Sequence, residues 1–291
     1  MDIQNFRRLL DTQTVSLPVQ SHERTPPAKS SSRYPKAELQ QACRGLDIYV
    51  QDSVKSSKSL DSKLSYFENK IVFAIRDWSH DPSSQLLHIR NPPGTSDLKI
   101  TSEIAISIWK TLSESSTPTI SMFCDWESTA GDYWIISLIY SLIGQLIDQL
   151  DVPDGEDLDF NPARLQELDG TLESWDKALL IFSDLLNQAP PKLYIIIDRI
   201  ERVERLPNKD KYMSSLIELL RDYVARDFSP GGARTCFKVL FTTRSACVSL
   251  SQLEDKVLRT IMLNKQNTKR RPGERRLGRS QIVLEFKTEQ G

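Results

Sequence analysis

Histidine is scarce: only His22, His80 and His88 occur in 291 residues, too scattered to read as a metal-binding set. Cysteine is nearly as rare. Cys43, Cys124, Cys236 and Cys247 show no C-x-x-C spacing, which fits reduced intracellular thiols better than a disulfide framework or a zinc site. No long hydrophobic run is present. The most apolar stretch, Tyr133 to Ile147, is shorter than the roughly 20 residues a membrane span needs, and Ser137, Ser141, Gly144 and Gln145 interrupt it. The first residues carry Asp2, Arg7, Arg8 and Asp11 without an apolar core, so no secretory signal is expected and an intracellular, cytoplasmic location is. Net charge is -1, which supplies no global field for nucleic acid. The hydrolase signatures G-x-S-x-G and H-E-x-x-H do not occur, and no repeat of solenoid period is visible.

What is present is a composition able to build a core: 39% hydrophobic and 26% charged residues, enough for one large domain or two smaller ones. Residues 21–36 are rich in Pro and Ser and read as a linker, so 1–36 is expected to be a disordered segment. Apolar residues then recur at helical spacing through Leu39, Leu46 and Val50, and through Leu64, Phe67, Ile71, Ala74 and Trp78. This predicts a helical extension over 37–84. Beyond residue 85 short apolar runs alternate with amphipathic stretches. Strands are expected at Leu86–Ile89, Thr119–Cys124, Leu193–Ile197, Phe237–Phe241 and Val257–Leu263, with helices near 100–113, 131–150, 172–186 and 213–224. Strand–helix alternation predicts an α/β fold, a three-layer parallel sheet covered on both faces, over 85–264. Residues 265–280 hold Lys265, Lys269, Arg270, Arg271, Arg275, Arg276 and Arg279 against one acid, Glu274. The segment 265–291 is therefore expected to be a basic, disordered tail. Its alternative roles are a nuclear-import signal or an arm that binds phosphate groups.

Three places lie where ligands bind in such folds, past the carboxyl ends of strands. The first is the loop after Ile89. A phosphate-binding loop reads G-x-x-x-x-G-K-[ST] between a strand and a helix. Laid on Asn91-Pro-Pro-Gly-Thr-Ser-Asp-Leu, its first Gly becomes Asn91, its second Ser96, its Lys Asp97 and its Ser/Thr Leu98, with Gly94 and Thr95 inside the loop. Asp97 reverses the charge that would reach the phosphates, and unit charges about 4 Å apart interact by roughly 4 kcal/mol at an effective dielectric near 20. Leu98 removes the hydroxyl that would hold Mg²⁺. Thr95, Ser96 or Asp97 instead suits the cap of the helix that follows, because short oxygen side chains bond its exposed N–H groups. The second place is Asp198, ending Leu-Tyr-Ile-Ile-Ile-Asp, with Glu201 three residues on. The third is Thr242-Thr243-Arg244, ending Phe-Lys-Val-Leu-Phe.

Together with the Ser-Leu-Ile-Gly-Gln-Leu run at 141–146, these segments resemble the nucleotide-binding domain of STAND-class P-loop NTPases, particularly the NACHT-like proteins of filamentous fungi, over roughly residues 63–264. The resemblance implies a P-loop NTPase fold whose Walker A segment is degenerate. It implies a Walker B role for Asp198, holding Mg²⁺ if nucleotide binds, with Glu201 polarising water if the site is active. It also implies a sensor role for Thr243 and Arg244. Read from the residues alone, Glu201 is expected to be a surface charge; the alternative for Arg244 is an ion pair with Asp97 or Asp198. By the standard of that family the switch and sensing regions are expected to be missing. The leading expectation is a domain without NTP hydrolysis that acts through protein–protein interaction, with full-length STAND relatives as candidate partners. In that reading no cofactor is expected. The alternatives are an ATP or GTP hydrolase using Mg-ATP or Mg-GTP through an unusual loop, and a nucleic-acid-associated protein using residues 265–280.

Overall fold

The computed structural model describes residues 34–50, 67–92, 100–124, 131–150, 158–204, 206, 209–226, 235–253, 258–263 and 279–280. Gly94, Thr95, Ser96, Asp97 and Leu98 therefore lie outside the described residues, as do His22 and nearly all of the basic segment.

Five strands form one parallel sheet: β2 (Gln85–Arg90), β3 (Thr119–Phe123), β4 (Lys192–Asp198), β5 (Cys236–Thr243) and β6 (Leu258–Met262), in the spatial order β3-β4-β5-β2-β6. A two-residue strand, β1 (Phe67–Glu68), pairs antiparallel with β7 (Arg279–Ser280). All five sequence-predicted strands are found within a residue or two.

The helices are α1 (Lys36–Ala42), α2 (Asn69–His80), α3 (Ile100–Glu114), α4 (Gly131–Gln149), α5 (Trp175–Leu186), α6 (Glu201–Glu204), α7 (Asp210–Ala225) and α8 (Val248–Ser251). The helix expected from residue 63 begins at Asn69, and residues 63–66 fall outside the description. Between α4 and α5 lies a 3-10 helix at Pro162–Glu167, capped by the Asn161 side chain accepting from the Ala163 amide.

Alternation along the strands makes the layers. Leu193, Ile195 and Ile197 of β4 join Phe237, Val239 and Phe241 of β5 in a core beneath α1, α4, α5, α7 and α8. Tyr194, Ile196 and Leu240 face the other way, with Leu87 and Ile89, into a second core beneath α2 and α3. A strand buried on both faces is apolar at every position, which is why 193–197 reads as an unbroken run. Fully burying each such side chain stabilises the fold by about 1.5–3 kcal/mol. This is an α/β fold, a parallel sheet covered by helices on both faces.

The segments before β2 belong to these same cores. Leu39, Cys43 and Leu46 pack into the first, while Ile71, Ile75 and Trp78 pack into the second. Close approach of the chain at 46–50 to α4 depends on Gly144, where an added Cβ would stand 2.9 Å from Val50 Cγ2. Among the described residues no helix is long and apolar enough to cross a membrane.

Candidate functional site at the carboxyl ends of the strands

The strand order places a switch point between β5 and β2. From β2 the chain crosses to β3 at one edge, and from β5 it crosses over β2 to β6 at the other. Ligands in open α/β sheets bind in the crevice that such opposed connections leave outside the strand ends. That rule points to the carboxyl ends of the neighbouring strands β2 and β5. Asn91, the first position of the expected phosphate loop, is buried there, and its amide donates to the Thr243 carbonyl at 3.1 Å.

Asp198 closes β4 with no solvent exposure. Thr242, its register partner on β5, donates its hydroxyl to Asp198 Oδ1. Asp198 Oδ2 has no hydrogen-bond partner among the described residues. The buried Ser102 hydroxyl, on the first turn of α3, acts on the same carboxylate without completing a hydrogen bond. Burial pushes the Asp198 carboxyl up to about 6, against the opposing pull of Thr242, Ser102 and the Arg199 guanidinium; the neighbouring Glu201 adds to the rise.

The chain then turns sharply. Arg199 takes a left-handed conformation with φ 61°, at a cost of order 1–3 kcal/mol for a residue with a side chain. Its amide donates to the Thr242 carbonyl at 2.7 Å, which holds the turn against β5. The turn launches α6, whose side chains tie together the ends of three strands. Glu201 Oε1 accepts the Arg244 amide at 3.0 Å. Arg202 donates to the Cys124 carbonyl beyond β3 at 3.2 Å. The Glu204 carboxylate accepts from the Val248 amide at 2.7 Å and from the Ser249 amide and hydroxyl at 2.6 Å each. These bonds hold the Glu204 carboxyl below its usual value against the cost of partial burial.

Glu201 is thus buried, not the surface charge that was expected. An acid on a four-residue amphipathic turn looks solvent-facing in sequence. Here the turn brings Glu201 to the end of β5, where its carboxylate accepts the Arg244 amide. Thr243, the expected sensor threonine, turns to the opposite face, where its Oγ1 lies 2.9 Å from His88 Nε2. Burial, and then the Arg90 charge, press that histidine down to about 4. Ser102, Arg199 and His88 were not singled out as site residues, and Thr242 only as part of the segment ending β5. Period-two alternation from Phe241 is the one signal that bears on which threonine faces Asp198, and it needs the register to be read.

Among the described residues no cluster of three or more His, Cys, Asp or Glu side chains is arranged to hold a metal. Mg²⁺ at nucleotide sites is usually held by one or two carboxylates plus substrate phosphates. Asp198 Oδ2, oriented without a partner, fits as one such ligand, and Leu98 offers no second.

No protein-family model matches the sequence, and no curated protein matches it. Among solved structures, Drosophila ORC bound to AT-rich DNA and Cdc6 is similar at 10% identity, with 88% of this chain and 37% of that chain covered and a TM-score of 0.32. Drosophila ORC bound to GC-rich DNA and Cdc6 gives 12%, 87%, 36% and 0.33 in the same terms. The chain spans little more than a third of the length of those chains. At such scores the likeness carries no functional argument, and the fold class rests on the sheet order and the site on its own geometry.

Proposed function

We propose that this chain is a P-loop-type domain that has given up nucleotide hydrolysis and works through protein–protein interaction. The observation that carries the reading is that Glu201, the acid that would polarise water, is buried and accepts a backbone amide within the fold. Asp198 is buried beside Thr242 with its carboxyl favoured toward the neutral form. Glu201 spends an oxygen on the Arg244 amide, leaving it ill-placed to polarise an attacking water. Asp97 and Leu98, where the motif needs Lys and a hydroxyl, point the same way.

The test is a titration of purified protein with fluorescent ATP and GTP, with and without Mg²⁺. The expected outcome is no saturable binding in the micromolar range. Binding that appears and is lost in Asp198→Ala would overturn the proposal. The combined variant Asn91→Gly, Ser96→Gly, Asp97→Lys, Leu98→Ser provides the positive control, because recovered Mg-dependent binding identifies the scaffold as a P-loop.

A second reading, a nucleotide-binding domain with an atypical loop using Mg-ATP or Mg-GTP, is favoured by one feature: Asp198 Oδ2 has no hydrogen-bond partner among the described residues. The same titration separates the two. A role with nucleic acid would run through residues 265–280. It predicts DNA binding that weakens steeply with salt and disappears on truncation after residue 264.

A further inference from the structure

The two edges of the parallel sheet are protected differently. β6 carries an exposed charge, Arg259, and Lys70 at the start of α2 donates to the Met262 carbonyl at 3.0 Å. A Lys or Arg on an edge strand discourages another strand from pairing there. β3, at the other edge, reads Thr-Ile-Ser-Met-Phe. It has no charge and no Pro, and its β-branched and aromatic residues favour strand pairing. Among the described residues no strand lies beyond it.

The backbone of β3 alternates in direction. Pro118 O accepts from the Tyr194 amide at 3.0 Å, and the Cys124 amide donates to Asp198 O at 3.2 Å, both across to β4. Ile120 and Met122 therefore turn their peptide groups to β4, and Thr119, Ser121 and Phe123 turn theirs outward. Ser121 is the middle of those three, and α4 occupies it. Gln145 Oε1 accepts the Ser121 amide at 2.9 Å, and Gln145 Nε2 donates to the Ser121 carbonyl at 2.8 Å. Nε2 also donates to Ser141 Oγ at 2.8 Å, one turn earlier on the same face of α4. That bond fixes which end of the amide meets the Ser121 N–H. A side-chain amide thus makes the pair of bonds that two opposed residues exchange in an antiparallel ladder. The Ser and Gln of the Ser-Leu-Ile-Gly-Gln-Leu run have their role here.

We propose that the β3 edge is a latent self-association surface held closed by Gln145, and that its partner is β3 of a second copy of this chain. The outward residues Thr119, Ser121 and Phe123 are symmetric about Ser121, so two copies related by a two-fold axis at that position pair antiparallel in register. Ser121 then meets Ser121 and exchanges with it the two bonds that Gln145 now makes, while Thr119 meets Phe123. Between them Ile120 meets Met122, both apolar, and no charge meets a like charge. The pairing uses up the β3 edge of both copies, so assembly stops at a dimer.

The experiment removes the clasp from the full chain. Gln145→Met keeps an unbranched side chain suited to a helix and loses both bonds to Ser121. Sedimentation velocity over a range of concentrations compares the variant with wild type, and hydrogen exchange reads the Ser121 amide. The variant is expected to dimerise with a midpoint at least about tenfold lower in protein concentration than wild type. Its Ser121 amide should exchange slowly in the dimer and fast after dilution to monomer. Ser141→Ala leaves Gln145 in place but frees its amide to turn, so it should shift the midpoint the same way by a smaller factor. That milder variant decides the matter if Gln145→Met does not fold. Folded variants that self-associate no more than wild type would overturn the proposal. Dimers whose Ser121 amide exchanges as fast as in the monomer would do the same, as would open-ended aggregates in place of dimers.

Discussion

Replacing Asp198 with asparagine is expected to make this protein more stable at neutral and alkaline pH, which is unusual for a fully buried residue at the end of a central strand. Asn keeps an oxygen that accepts the Thr242 hydroxyl and places an amide N–H₂ where Oδ2 now lacks a partner. What is lost is a buried charge. The carboxyl titrates at about 6 in the fold against 3.8 unperturbed. A raised folded value means that the folded state favours the proton, so the carboxyl is best tolerated below about pH 3.8 and progressively destabilises as pH rises through 6. A difference of about two units corresponds to roughly 3 kcal/mol at pH 8, falling to about half of that at pH 5. Urea denaturation of both proteins from pH 4.5 to 8 measures this as a gap in unfolding free energy that widens with pH in favour of Asp198→Asn. An Asn variant less stable at pH 8, with a gap that does not change with pH, would refute the account of Asp198 as a carboxyl burdened by burial.

Glu204→Ala should destabilise by roughly 1–3 kcal/mol, because it strands the Val248 and Ser249 amides. Since the folded carboxyl lies below its usual 4.5, the cost measured by denaturation should shrink as pH falls below that value. His88 titrates near 4 in the fold against 6.5 unperturbed, so the unfolded chain binds its proton first as pH drops. Wild type should therefore lose about 3 kcal/mol between pH 7 and pH 4 through this residue alone, and His88→Gln should be less acid-sensitive over that window in the same assay. Gly144→Ala should gain little from its helix propensity, worth about 1 kcal/mol, because the new methyl meets Val50. Thermal melts should show that gain returning in a Val50→Ala background.

Much of the architecture is readable from the chain because each layer has a period. The run 193–197 is apolar throughout since both sides of β4 are covered. The helix over 213–224 shows its stripe through Met213, Leu216, Ile217, Leu220 and Tyr223, which are the residues buried in α7. Asp198 was legible as a site residue from its place at the end of that apolar run. Its chemistry was not. Whether Thr242 or Thr243 reaches it depends on how β4 and β5 are aligned, and a one-residue slip would exchange the two hydroxyls. Glu201 read equally well as a surface acid. Its burial follows from a left-handed turn at Arg199 that no local preference for Arg announces.

The sequence by itself determined the alternation of strands and helices, the apolar cores on both faces of the sheet, and the positions past the strand ends where chemistry is available. Those depend on local periodicity and on composition. Tertiary structure alone decided the strand order that sets β2 between β5 and β6. It decided that Glu201 and Glu204 hold neighbouring loops instead of facing solvent. It also set Lys192 against Cys236 across two strands, 44 residues apart in sequence. Such pairings are made by distant segments, and no short-range pattern encodes which partner a side chain will meet.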